Sequence, residues 1–357
     1  MSQPSQSEKH LTALTDKLTE GSSLTVEEAR EAASGLASPE PSLESKESFL
    51  TALSRKGETP DEVFAFAAEF RERAVDPGLD DFREGAIDIV GTGGDGSGTF
   101  NFSTAAALLV ASIGLPVMKH GNRSITSKSG SADLLADLGV PMENDPGALR
   151  KSLEEFGFCF FFAPAFHPAF KEIMPVRKKL AENGTKTIFN LLGPLINPGR
   201  PRQQLMGVFS DLWLDPIAGA LDQLDIASGM VVHCRVANGA GVDELTTAGT
   251  NLVRGVGSLR GSTFPIQASE LDLPDCILAD LRGGESADNL QMLRDLAQGN
   301  LKGPVLDTLC LNAGAALFLS GRSETIPSGI ELARTSISDG QFQDWLNRFE
   351  KFNHSQS

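Results

Sequence analysis

The chain has 357 residues, 40% hydrophobic and 22% charged, with a formal net charge of −16 and no tyrosine. That length suits one large domain or two modest ones with a sizeable core. So acidic a surface argues against a nucleic-acid binder, which needs basic charge to displace counterions, yet a few local donors still suffice for a small anion.

In chain order, the opening MSQPSQSEKH carries no apolar leader, so secretion is not expected. Residues 1–80 read as helices. Thr25 with Glu28 and Thr59 with Glu62 form capping-box patterns, the second with Pro60 at the first helical position. Lys56-Gly57 between them is a helix stop. From Ala86 the pattern alternates: strand AIDIV, a glycine-rich loop, an apolar helix, strand PVMKH, a second loop and helix SADLLADLG. FCFFFAP, QQLMGVFS, SGMVVHC and PIQASEL read as further strands, and DTLCLNAGAALFLSG as a buried helix. This alternation implies a mainly parallel sheet flanked by helices. The passage GTKTIFNLLGPLINPGRPR fits neither pattern, and the tail from Lys351 is expected to fray.

The longest apolar stretch, 105–118, is broken by Ser112, Gly114 and Pro116, so no membrane span or membrane partner is expected. The cytoplasm is the expected compartment. Cys159, Cys234, Cys276 and Cys310 are far apart with no CxxC spacing. They read as buried free thiols, not as a zinc site or a disulfide framework.

Gly91-Thr92-Gly93-Gly94-Asp95-Gly96 satisfies GxGxxG after a strand. A dinucleotide site would also need an acidic residue about twenty positions on, where this chain reads PVMKHGNRS. The remaining reading is a nest of backbone N–H groups facing a phosphate, aided by the helix start at Asn101-Phe102-Ser103-Thr104. The hydroxyls of Ser103 and Thr104 suit a helix cap, a phosphate contact or a metal ligand alike. At the next strand end, KHGNRSITSKSGSAD supplies three cationic residues, one His and five hydroxyls. Two donor-rich loops at successive strand ends point to one ligand with two separated phosphate groups. Asp243 and Glu244 are adjacent in GVDELTTAG. Paired acids are often surface decoration, but in a loop both can converge, and a polyphosphate travels with Mg²⁺.

With GTGGDGSGTFNFSTA, KHGNR, FFAPAFHPAFKEIMPVRK, TIFNLLGPLINP, QLMGVFS, DEL and LNAGAALFLSG in this order, the chain resembles the anthranilate phosphoribosyltransferases of tryptophan biosynthesis. The resemblance runs from roughly Leu24 to Leu346. It implies an α/β fold: a small N-terminal helical domain plus a large α/β domain with a central, mainly parallel sheet, usually as a homodimer. The helical domain would be residues 1–83, completed by about 174–201, and the α/β domain 84–173 and 202–357.

The implied ligands are 5-phosphoribosyl 1-diphosphate (PRPP) and anthranilate, meeting in the cleft between domains. Carried over by motif, Gly91, Gly94, Asp95, Thr99, Asn101, Phe102, Ser103 and Thr104 would surround PRPP. Lys119, His120, Gly121, Asn122, Arg123, Ser124, Ile125, Thr126, Ser127 and Ser131 would close over it from the other side. Gly91, Asn122 and Arg177 would contact anthranilate, and Ser103, Asp243 and Glu244 would hold Mg²⁺. His120 and His167 would orient or pack around the acceptor; no residue is implied as a covalent or acid–base catalyst.

Two segments are longer than the family's usual form and read as loops: RKKLAENGTKT, with Lys186 where an Arg is usual, and VVHCRVANGAGVDE. The alternatives are a related enzyme with a different aromatic acceptor, or a pyrimidine nucleoside phosphorylase of the same fold. The acidic pair and KHGNR argue against the latter.

Overall fold

Both capping boxes form as read. In the computed structural model, which describes residues 5–123, 128–237 and 239–356, Thr25 and Glu28 exchange hydrogen bonds of 2.8 and 3.2 Å. Thr59 and Glu62 do the same. Such a cap is worth about 1 kcal/mol. They open α2 (Val26–Leu36) and α4 (Pro60–Glu72), which pack with α1 (Gln6–Thr19) and α3 (Leu43–Lys56). Gly57, at φ +88°, ends α3 in a conformation that glycine adopts without strain.

The α/β region starts with β1 (Ile87–Gly91), α5 (Phe102–Ser112), β2 (Val117–Gly121), α6 (Ser131–Asp137), α7 (Pro146–Phe156) and β3 (Phe158–Phe162). Then come α8 (Ala163–Phe166), α9 (Met174–Glu182), α10 (Phe189–Leu192), β4 (Gln203–Gly207), α11 (Leu214–Gln223) and β5 (Ser228–Val236). A short β6 (Gly241–Val242), β7 (Gly249–Gly257) and β8 (Thr263–Ile266) follow. The chain closes with α12 (Ser286–Ala297), α13 (Pro304–Leu319), α14 (Ile326–Ser338) and α15 (Gln341–Gln356).

The strands form one sheet in the order β3-β2-β1-β4-β5-β7-β8, with β6 paired to β5. The pairs from β3 to β5 are parallel; β6, β7 and β8 join antiparallel. Alternate residues of each strand face opposite sides. Ile89, Leu205, Met230 and Val232 bury with α5 and α13 on one side. Val90, Met206, Val208 and Val231 bury on the other with α1–α4, α11 and the 173–196 segment, which takes in the first part of the passage that matched neither sequence pattern. Phe70, Phe170 and Phe189 interlock there, with ring centroids 4.9–5.6 Å apart.

The structure corrects the sequence reading in five places, the first being QQLMGVFS, which is a strand only to Gly207. PIQASEL is a strand only to Ile266, after which Ala268–Leu271 makes a 3₁₀ turn. FCFFFAP stops at Phe162 and turns into α8. Strand β7 is not among the segments that the sequence marks as strands. The tail from Lys351 does not fray but continues α15 to Gln356, with Phe349 and Phe352 against the Phe156 ring. All four cysteines are free, three of them buried. Among the described residues, no helix is long and apolar enough to cross a membrane.

Candidate active site

Strands β1, β2 and β4 all finish in glycine at their carboxyl ends. Gly91 and Gly207 are register partners across β1 and β4. A Cβ on Gly91 would lie 2.6 Å from Asp243 Oδ2, and one on Gly207 would overlap the Asp243 carbonyl oxygen. The missing side chains are what let the Asp243 segment cross the strand ends. Gly121 likewise admits the Ser131 hydroxyl, which donates to the Asn122 carbonyl at 3.3 Å.

The loop after β1 turns through Gly93, Gly94, Gly96 and Gly98, all at φ between +65° and +74°. Left-handed steps packed this closely are why the run is glycine-rich. Within it the Ser97 N–H donates to Asp95 Oδ1 at 3.0 Å. Beyond it Asn101 precedes α5, but its side chain turns aside and donates to the Ser129 carbonyl. The Ser103 and Thr104 hydroxyls do not cap the helix. The Ser103 N–H donates at 2.9 Å to Glu244 Oε1, so the cap comes from 141 residues away. Thr104 Oγ1 is buried without a hydrogen-bond partner among the described residues. Phe102 is fully buried against Phe100, so its side chain belongs to the core.

The acid pair emerges from β6, whose pairing with β5 aims it at this loop. Asp243 Oδ2 accepts from the Gly93 N–H at 2.5 Å and from Thr92 Oγ1 at 3.4 Å. The Asp243 N–H in turn donates to Asp95 Oδ2. Thr99 Oγ1 donates to Glu244 Oε2 at 3.5 Å. Burial, reinforced by the nearby Asp95 charge, raises the Asp243 carboxyl to about 8. Burial and then Asp243 raise Glu244 well above the carboxylate range. Lys119 is the cation acting on Glu244, yet its own Nζ, fully buried, is tied to the Ile89 carbonyl at 2.6 Å.

These are hard oxygen donors short of positive charge, the chemistry Mg²⁺ takes. Among the described residues no three His, Cys, Asp or Glu side chains converge to hold a metal by themselves. A cation here would therefore complete its shell with ligand oxygens, as Mg²⁺ on a phosphate compound does. The donor set fits.

On the second loop, Asn122 and Arg123 are exposed, and Arg123 pairs with Asp133 at 2.9 Å. Ser124, Ile125, Thr126 and Ser127 lie outside the described residues. His120 Nδ1 bonds the Gly193 carbonyl at 2.9 Å, and its Nε2 meets His167 Nε2 at 3.2 Å. Burial lowers His120 to about 4; burial and then His120 lower His167 to about 2. Both rings are neutral. Since a carbonyl can only accept, His120 carries its proton on Nδ1 and accepts at Nε2 from His167.

Arg177, on α9, lies over Phe170 and Phe189 at 5.7 and 5.6 Å and donates to the Phe189 carbonyl. Burial alone lowers its pKa; among the described residues no carboxylate acts on it. The extra length in RKKLAENGTKT is a turn after α9, with Gly184 at φ +71°. Past that turn, Lys186 returns to the glycine loop. Its Nζ donates to the Gly94 carbonyl at 3.2 Å and stands 3.6 Å from the Phe209 ring centre. Sequence reasoning notes Lys186 only as a departure and assigns no role to Gly207; neither contact is encoded locally.

Two family models match the chain: the helical bundle domain of a glycosyl transferase family over residues 12–74, and its a/b domain over residues 83–343. Fold and site thus define a two-domain glycosyl transferase. An anthranilate phosphoribosyltransferase of Azorhizobium caulinodans is 40% identical over 338 residues, 95% of each chain. The crystal structure of the Thermus thermophilus enzyme of that name aligns with a TM-score of 0.86 at 41% identity, covering 96% of this chain and 99% of that one. The Saccharomyces cerevisiae enzyme in complex with PRPP and Mg aligns at 0.85 and 27% identity, covering 98% and 99%. The chain belongs to the anthranilate phosphoribosyltransferase family.

Proposed function

We propose that the cleft at the ends of β1, β2 and β4 transfers the phosphoribosyl group of PRPP to the amine of anthranilate, releasing N-(5-phosphoribosyl)anthranilate and diphosphate in tryptophan biosynthesis. The observation that carries this is the interlock of Asp243 and Glu244 with the donors of the glycine loop and α5, which joins a cation site to an anion site.

Backbone donors of the loop and the start of α5 hold the diphosphate, and the Lys119–Ser131 segment closes on PRPP from the other side. Ser103, Asp243 and Glu244 would hold Mg²⁺, whose chemistry when bound is to neutralise the leaving diphosphate. Arg177, with no carboxylate among the described residues acting on it, pairs with the anthranilate carboxylate through a two-bond fork. Gly91 and Asn122 border the same acceptor. The amine is then aimed at the ribose C1, where its bond forms as the bond to diphosphate breaks, and the surplus N–H proton leaves to the departing diphosphate or to water. Positioning and fixed donors do most of this work, and the protein supplies no covalent step. The neutral His120–His167 pair is too depressed to carry a proton near pH 7 and serves to orient and pack.

The same reading gives a helical domain of 1–83 completed by 174–201, an α/β domain of 84–173 and 202–357, and a cytoplasmic homodimer. The shared burial of Val176 and Leu180 with α1–α4 supports the return of the second segment.

The test is loss of anthranilate fluorescence on mixing the protein with PRPP and Mg²⁺. Loss should require Mg²⁺ and fall by about 10²–10³ in Asp243→Asn. PRPP binding without anthranilate consumption would reject the acceptor and send the search to other aromatic amines.

A further inference from the structure

We infer that Asn289 is a positioning residue that locks the two anion loops into one donor surface. It lies on α12, far from the cleft motifs in sequence, and its side chain is 2% exposed. Its Nδ2 donates to Asn101 Oδ1 at 2.7 Å, and its Oδ1 accepts from the Gly284 N–H at 2.7 Å. Asn101 Nδ2 continues the chain to the Ser129 carbonyl at 3.1 Å. One run of bonds therefore crosses from α12 through the loop after β1 to the loop after β2.

The direction of this run is fixed at both ends. A backbone carbonyl can only accept, so Asn101 must present its amide nitrogen to Ser129 and its oxygen to Asn289. A backbone N–H can only donate, so Asn289 must present its oxygen to Gly284. Neither amide can flip without facing oxygen to oxygen or nitrogen to nitrogen.

The backbone beside it is clamped as well. The Phe100 N–H donates to the Leu281 carbonyl at 2.9 Å, and the Gly283 N–H to the Gly98 carbonyl at 3.0 Å. A Cβ on Gly283 would lie 2.9 Å from Phe100 Cα and 2.8 Å from Asn289 Oδ1. The 281–289 segment thus serves as an outer wall for the glycine loop, and Asn289 carries that wall's influence to the second loop.

This inference rests on reading the edge as the PRPP site. A ligand that spans both loops loses affinity when they move independently; an acceptor anchored mainly by Arg177 and only bordered by Asn122 loses less. Asn289→Ala should raise the KM for PRPP about tenfold, the size of one buried hydrogen bond. The KM for anthranilate should rise less than that for PRPP. Asn289→Asp, of the same shape, should do likewise, because its oxygen would face Asn101 Oδ1. In an Asn101→Ala background, Asn289→Ala should add nothing further, since the shared bond is already gone.

A lowered melting temperature with an unchanged KM for PRPP would overturn the inference, as would additive effects in the double variant. So would an Asn289→Asp protein that fails to fold, because the residue would then be purely structural. Calorimetric titration with PRPP and Mg²⁺ separates the two levels. Wild-type protein that binds no PRPP rejects the site and this inference together; equal binding by wild type and Asn289→Ala rejects this inference alone.

Discussion

Gly207, at the end of β4, lies so close to Asp243 that a Cβ there would overlap the Asp243 carbonyl oxygen. At its register partner Gly91, the nearest obstacle is the end of the Asp243 side chain at 2.6 Å. Gly207→Ala must therefore move backbone, and with it both acids. We expect kcat/KM to drop about 10²-fold, as a shift of about 1 Å in a reacting site does. Steady-state rates across a Mg²⁺ series check this; unchanged rates would mean that the acids tolerate displacement.

Arg177 is stacked on two rings and, among the described residues, acted on by no carboxylate. Arg177→Ala should raise the KM for anthranilate about 10–100-fold, the range for a hydrogen bond to a charged group. The KM for PRPP should hold. Arg177→Lys should not restore activity, since an ammonium gives neither the planar fork nor the stacking. Equal rises in both KM values would place Arg177 outside the acceptor pocket.

Lys186 links the segment bearing Arg177 to the glycine loop through the Gly94 carbonyl and the Phe209 face. Because it is exposed, the link is worth about 1 kcal/mol. Lys186→Ala should raise the KM for PRPP about fivefold, while Lys186→Arg should stay near wild type. A Lys186→Arg variant as impaired as Lys186→Ala would contradict this.

The buried histidines make stability depend on pH. Folding holds His120 at about 4, below its unfolded value of about 6.5. Above that unfolded value both states are neutral and nothing is lost. As pH falls from about 6.5 through 4 the unfolded chain takes the proton first, so stability drops, by about 3 kcal/mol at the limit. Melting curves should show a shallower loss over this window in His120→Asn than in wild type, and parallel slopes above pH 7. Parallel slopes throughout would mean that the ring titrates normally.

What could be read from the sequence was local. Thr25–Glu28 and Thr59–Glu62 lie within one helical turn, so their caps were legible, as was the strand–glycine loop–helix order from Ile87 to Ser112. Strand β7 was not, because GTNLVRGVG interleaves glycines and polar residues, and its conformation comes from nine antiparallel partners on β5. The edge strand β8 ends where its pairing ends, which periodicity does not record. In the site, Ser103 and Thr104 looked able to cap α5, but the carboxylate that does so arrives from Glu244. Gly207 looked like any strand glycine until Asp243 was laid against it.

The carboxylates resting on the Gly93 and Ser103 amides turn binding into an exchange. Those donors are already satisfied, and the groups satisfying them carry the same sign of charge as a phosphate in their ionised form. A bare anion must both evict a carboxylate and then endure it as a neighbour. An anion that arrives with its own divalent counter-charge meets the opposite situation: each displaced acid becomes a ligand instead of a rival. On the proposed function, the loop would disfavour a bare phosphate against a metal-bound ester, a selection made by its own side chains before any sugar or aromatic ring is examined.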